Sequence, residues 1–135
     1  MANALYDKGR QAFLEGDIDW INDDIRVILI DTADYTVNLS THDFLDDVPS
    51  VARVAVSSSL TGKTATDGVA DANDVTFSSV TGDASEALII YKHTGTESTS
   101  NLIAYIDTAT GLPVTPNGGD INIVWDNGAN KIFKL

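Results

Sequence analysis

The sequence predicts a mainly β fold: an antiparallel sandwich or barrel of about eight strands with a short N-terminal helix. Three observations predict it. Apolar residues recur with a period of two through most of the chain, as in Ile25-Arg26-Val27-Ile28-Leu29-Ile30 and Ile121-Asn122-Ile123-Val124-Trp125. Clusters of Gly, Asp, Asn, Ser and Thr interrupt these runs every ~8–12 residues, the spacing of an antiparallel sandwich or barrel. Helical stretches are too few to supply the crossovers of a parallel sheet. The whole chain, 1–135, is expected to form a single β domain with residues 1–16 as a helix packed on it.

The helix is expected over residues 4–15. Leu5, Gly9, Ala12 and Phe13 share one face at i, i+4, i+7 and i+8, while Asp7, Arg10 and Glu15 fall elsewhere. Asn3 is the expected N-cap and Gly16 the residue that ends the helix. Gly9 costs about 1 kcal/mol against Ala within a helix. So short an element therefore needs tertiary support.

After Gly16 the period changes to two. Residues 25–30 are β-branched and apolar on both faces, as in a central strand. Tyr35, Val37 and Leu39 then alternate with Thr36 and Asn38. Residues 40–49 offer a Ser or Thr cap, acidic residues and a stop before Pro49, so a single helical turn is expected. Further strands are expected at 51–60, 63–69, 74–80, 87–93, 102–108, 120–126 and 131–135. Asn117-Gly118 and Asn127-Gly128 read as hairpin turns, because Asn-Gly readily supplies positive φ. They would set Ile121, Ile123 and Trp125 on a buried face, with residues 131–135 pairing back against that strand.

A net charge of −12, with only eight Lys and Arg scattered along the chain, argues against nucleic acid and against an anionic membrane surface as partners. Without cysteine there is no disulfide, thiolate metal site or cysteine nucleophile. Apolar runs are too short to span a bilayer, and residues 1–17 mix charge through their apolar positions, unlike a signal peptide. Synthesis in a cytoplasm is the expectation.

Candidate chemistry is sparse. His42 and His93 are the only histidines, and no strained Gly-x-Ser-x-Gly elbow accompanies them, so both read as loop or edge residues. Paired carboxylates are abundant, at Asp17-Asp19, Asp23-Asp24 and Asp46-Asp47. A glycan site would also need aromatic platforms, and Trp20 and Trp125 are better accounted for as core. Asp67, Asp71, Asn73 and Asp74 offer hard oxygens for calcium, but the EF-hand spacing fails and an acidic β-hairpin loop fits better. Gly62-Lys63-Thr64 lacks the upstream glycine of a phosphate loop. No catalytic, cofactor-binding or metal-binding set is assigned. Leu5, Phe13, Ile132, Phe133 and Leu135 are apolar enough to serve a subunit or capsid interface, against the alternative of ordinary core packing.

Three segments carry a family resemblance: LYDKGRQAFLEGDIDWINDDIRVILIDTADYTVNLSTHDFLDDVP, LTGKTATDGVADANDVTFSSVTGDASEALIIYKHTG and LIAYIDTATGLPVTPNGGDINIVWDNGANKIFKL. Together they resemble a structural protein family of tailed bacteriophages, some of whose members are capsid decoration, or cement, proteins. The resemblance implies a non-enzymatic virion component on the capsid surface, made in the host bacterial cytoplasm. It implies binding to the outside of the major capsid protein lattice, as a homotrimer at local three-fold positions, and it brings no catalytic residues. Rival readings are another virion role (head–tail connector, tail protein or head-fibre base) and a small glycan-binding or hydrolytic module using Trp20 or Trp125.

Overall fold

The computed structural model describes residues 4–135. Its strands are β1 (Ala4–Leu5), β2 (Ile25–Ile30), β3 (Arg53–Val56), β4 (Val69–Ala70), β5 (Val75–Phe77), β6 (Ala87–Lys92), β7 (Leu102–Ile106), β8 (Ile121–Ile123) and β9 (Phe133–Lys134). One helix, α1 (Asp7–Leu14), follows β1. Five strands form an antiparallel sheet in the order β1-β7-β6-β2-β3, and two ribbons, β4-β9 and β5-β8, complete the strand pairing. This is the predicted mainly β architecture, in its sandwich form. Among the described residues the strands do not close into a barrel.

The sheet is built around β2, which is apolar on both sides. It pairs with β6 from Ile25↔Lys92 to Ile30↔Ala87 and with β3 on its other edge. Ile25, Val27 and Leu29 enter a core layer with Val75 and Phe77 of β5, Ile121 and Ile123 of β8, and both tryptophans. Ile28 and Ile30 enter a second layer with Tyr6, Tyr35, Leu45 and Val48. Burying each such side chain contributes about 1.5–3 kcal/mol. The ribbons thus cover one face of the sheet, and the irregular chain between β2 and β3 covers the other.

The helix begins three residues later than the periodicity indicates. Residues 4–5 instead pair with β7 (Ala4↔Tyr105, Leu5↔Ala104), and the Tyr6 N–H bonds the Ile103 carbonyl at 3.0 Å. Sheet hydrogen bonds to an existing edge outcompete one further helical turn. The N-cap is extended Tyr6, without a side-chain cap, whereas the predicted cap, Asn3, lies outside the described residues. The C-terminal end is as expected. The Gly16 N–H bonds the Phe13 carbonyl (3.2 Å) and the Asp17 N–H bonds that of Ala12 (2.8 Å), a Schellman pair.

Gly9 is a packing residue. A Cβ there would lie 2.6 Å from the Leu102 carbonyl oxygen and 3.1 Å from the Ile103 backbone, so only glycine lets α1 lie directly on β7.

Several expected strands shorten or vanish. Tyr35, Val37 and Leu39 face inward in alternation, yet residues 35–39 join no ladder. The helical turn after it is a 3₁₀ turn at Leu45–Asp47. Phe44 stands at its N-cap in place of a Ser or Thr, and the Asp47 carboxylate receives the Asp43 N–H instead (2.8 Å). The 51–60 strand reduces to β3 after a 3₁₀ turn at Ser50–Ala52. The 63–69 strand is replaced by a 3₁₀ turn at Thr66–Gly68 leading into β4.

The C-terminal pairing differs from expectation. β8 pairs with β5 (Val75↔Ile123), and β9 pairs with β4 (Val69↔Lys134) rather than folding back on β8. Gly118 has the positive φ foreseen for it (+89°), but Asn117-Gly118 closes no hairpin between β7 and β8, and the Val80–Gly118–Gly119 backbone bonds extend the β5-β8 ribbon instead. Gly128 does not take a positive φ, and Lys131 does (+48°). The Asp126 carboxylate takes the Gly128 N–H (3.1 Å), so the loop opens and carries the chain across to the second ribbon. Ile121, Ile123 and Trp125 do share the buried face.

At the entry to β2, Asp24 is gripped by Arg26 through two 3.0 Å bonds and also receives the Ser59 hydroxyl. The Arg26 bond holds its carboxyl below the usual carboxylate range. A depressed folded value adds stability above the unfolded pKa of about 3.9, which is lost as pH falls through the folded value. Asp24→Asn should therefore flatten the acid limb of a stability–pH curve measured by urea melts. Gly9→Ala should destabilise by ~1–3 kcal/mol in the same assay, despite the better helix propensity of Ala, because the added methyl overpacks against backbone.

Candidate functional site

The described surface contains an apolar groove of about 410 Å³ between the end of α1 and the β4-β9 ribbon. Phe13 enters from the helix, Ile18 and Trp20 from the segment after Gly16, and Ala70 and Phe133 from the ribbon. The Trp20 ring stands edge-on to Phe133 (5.3 Å, 80°), which in turn tilts against Phe13 (6.1 Å, 52°). The Trp20 indole N–H donates to the Asp71 carbonyl at 3.4 Å, which pins the ring to the loop beside β4.

Asp19 shapes the near wall. One carboxylate oxygen accepts the N–H groups of Ile21 and Asn22, and the other accepts the Asn22 side-chain amide at 2.8 Å. The bonds from Asn22 hold the Asp19 carboxyl below its ordinary range. The turn they close leaves Ile21 45% exposed, alongside Leu14 at 86% and Leu135 at 56%. Ile21 and Leu135 therefore bring two large apolar side chains to water in one groove, a concentration that marks an interaction surface.

The electrostatics of this region are mixed. Glu15, Asp17, Asp19 and Asp67 are exposed on or next to lining residues. Lys63 bonds the Asp23 carbonyl, and Lys92 bonds that of Asp17 and pairs with Asp23 at 3.3 Å, whereas Lys134 is exposed between the lining residues Phe133 and Leu135 and Lys8 shares a separate depression with Glu15 and Asp17. Burial pushes the Lys63 ammonium down, against the pull of Asp23, Asp24 and Asp19. A neighbouring depression of about 310 Å³ shares Phe133 but is polar, with Arg10, Lys131, Lys134 and Asp126 in its walls.

Of the five interface residues expected from sequence, Phe13, Phe133 and Leu135 converge on the groove. Leu5 and Ile132 are buried core residues that reach only the floor of the polar depression. Leu14 and Ile21 were not anticipated. Leu14 lies off the apolar stripe of α1, and an apolar residue on the wrong helical face is the signal that could have found it.

The other candidate chemistry is engaged in structure. The His42 Nδ1 accepts the Asn38 N–H (3.3 Å), so the Tyr35 hydroxyl donates to it (2.8 Å) and the Tyr6 hydroxyl donates to that of Tyr35 (2.8 Å). Burial raises the pKa of Tyr6 well above the usual tyrosine value and pushes Tyr35 up to about 12, so both hydroxyls stay protonated near neutrality. His93 Nδ1 lies 3.3 Å from the Tyr91 hydroxyl. Three of the four calcium candidates are tied into local structure, and the fourth, Asp67, is exposed. Asp74 accepts the Trp125 N–H, Asn73 offers its carbonyl to the Trp125 indole (both 3.0 Å) and its side-chain amide to Thr61, and Asp71 pairs with Thr64. Carboxylates do converge at Asp31, Asp34 and Asp83 and at Asp43, Asp46 and Asp47. In the second group burial, reinforced by Asp47, pushes Asp43 up. Burial also opposes ionisation of Asp47, but the N–H groups of Asp43 and Phe44 outweigh it and hold that carboxyl down. Among the described residues no helix is long and apolar enough to cross a membrane.

No protein-family model matches this chain, and no curated protein matches it.

Both tryptophans are buried and hydrogen-bonded to the 71–74 loop. Trp20→Ala and Trp125→Ala should each cost ~3–5 kcal/mol in denaturant unfolding, as core truncations do. Selective loss of glycan binding in a fully stable Trp variant would contradict this assignment.

Proposed function

We propose that the protein is a capsid decoration protein of a tailed bacteriophage, which docks on the outside of the major capsid protein lattice and stabilises the head without catalysing a reaction. The observation that carries this reading is the groove, where aromatic rings and the exposed side chains of Ile21 and Leu135 offer one docking surface. The likeness of three long segments to phage structural proteins supplies the setting. A β-sandwich built on one continuous sheet suits a rigid cap. A charge of −12 keeps free subunits apart and soluble until they dock.

In this role the protein is a homotrimer over a local three-fold position, so that three grooves engage the lattice together. Each contact can then be weak, because the second and third form at high effective concentration. Repulsion between subunits of the same sign makes trimerisation stronger as salt screens it.

Purified protein added to undecorated shells should co-sediment in many copies per particle and raise the shell melting temperature. No binding and no rise would remove the reading, and a single ring of copies at one vertex would move the protein to the neck or tail. Sedimentation velocity of the free protein should give three times the monomer mass, with the trimer favoured at higher salt.

A further inference from the structure

We infer that His42 is a pH-sensitive latch: its neutral ring ties the 35–42 segment to the body of the domain, and a proton at Nδ1 releases that segment while the sheet stays folded. Residues 35–39 lie along the second core layer without joining a ladder, so side chains and a few backbone bonds hold them there. The turn that follows closes on itself. The Asn38 side-chain oxygen takes the N–H groups of Ser40 and Thr41 (both 3.1 Å), and the Asn38 carbonyl takes that of His42 (3.1 Å). Two polar ties connect this turn to the start of α1. The Leu39 carbonyl accepts the Asp7 N–H at 2.8 Å, and the His42 ring reaches Tyr6 through Tyr35.

The second tie has no place for an added proton. Neutral His42 accepts at Nδ1 from the Tyr35 hydroxyl (2.8 Å) and the Asn38 N–H (3.3 Å), and Tyr35 accepts from Tyr6 (2.8 Å), so both hydroxyl protons are used. Protonation turns Nδ1 into a donor. Tyr35 must then accept from the ring and donate to Tyr6, whose own hydroxyl proton is left over. Tyr35 is the one hydrogen-bond partner of that hydroxyl among the described residues. Tyr6 is fully buried and Tyr35 only 4% exposed, so water does not take the stranded proton. The Asn38 N–H loses its acceptor in the same step. The charged ring has somewhere else to turn, because Asp47 of the 3₁₀ turn lies within its electrostatic reach. Asp43 precedes that turn and donates its N–H to Asp47, while Lys8 shares a depression with Asp43. Arg53 is held on the Leu45 and Val48 carbonyls, Asp7 pairs with Arg10 at 3.5 Å, and Tyr105 of β7 tilts against Tyr35 at 6.5 Å. The two states are therefore a neutral ring on Tyr35 and a charged ring drawn toward Asp47.

NMR of the full chain from about pH 8 to about pH 5 tests the latch, since histidine changes charge within that range. Signals of the His42 imidazole, the Asn38 amide and the Tyr35 and Tyr6 rings should move together with one midpoint. Exchange protection of the Asp7 amide, corrected for its intrinsic rate, should fall at least roughly fivefold, while amides of β2 and β6 keep theirs. His42→Gln should abolish this dependence, and His93→Gln should leave it intact. Tyr6→Phe/Tyr35→Phe removes both hydroxyls together, so no buried proton can be stranded and most of the pH response should disappear. A His42 ring that stays neutral to pH 5 overturns the inference, as does one that titrates without moving Asn38 and the tyrosines. So does a response that persists in His42→Gln or is undiminished in the double Phe variant. Loss of protection in β2 and β6 at the same midpoint also overturns it, because acid then unfolds the domain and not the segment. The wild-type titration decides the matter even if a variant fails to fold.

Discussion

Strand β2 sets the terms for the rest of the molecule. Its residues from Val27 to Ile30 are fully buried, so neither face can be left to water. A strand that is apolar on both sides must be central and must be covered twice. β6 and β3 satisfy its backbone, the two ribbons cover one face, and the 35–52 segment covers the other. The ribbons and α1 are too short to be stable alone, and each exists because that sheet is there to receive it.

The groove follows from this dependence. α1 is held against β7 by the missing side chain of Gly9, and the β4-β9 ribbon sits over the same side of the core. The segment after Gly16 must bridge them, and its two indispensable anchors, Ile18 and Trp20, are spent on the core. What remains between helix and ribbon is a trough whose floor is core and whose edges are solvent. Ile21 and Leu135 stand exposed along it.

Charge is distributed to the same effect. The acidic side chains that shape local structure, such as Asp19, Asp24, Asp47 and Asp74, are occupied by N–H donors or by Arg26. Glu15, Asp17 and Asp67 are exposed, as is Lys134 between the lining residues Phe133 and Leu135.

The sequence by itself determined the class of the fold, the central position of 25–30, the inward face of Ile121, Ile123 and Trp125, and the C-terminal stop of the helix. Each of these depends on residues close together in the chain: period-two alternation, β-branching, a glycine after an apolar stripe. Tertiary structure decided which strands pair. Residues 131–135 read as the partner of their neighbour β8, but β8 pairs with β5 and residues 133–134 pair with β4 instead. It also decided that Leu5 and Ile132 are core while Phe13, Phe133 and Leu135 meet across a groove. Apolar residues read alike wherever they lie, and only the order in which neighbours fill the interior leaves some of them at the surface.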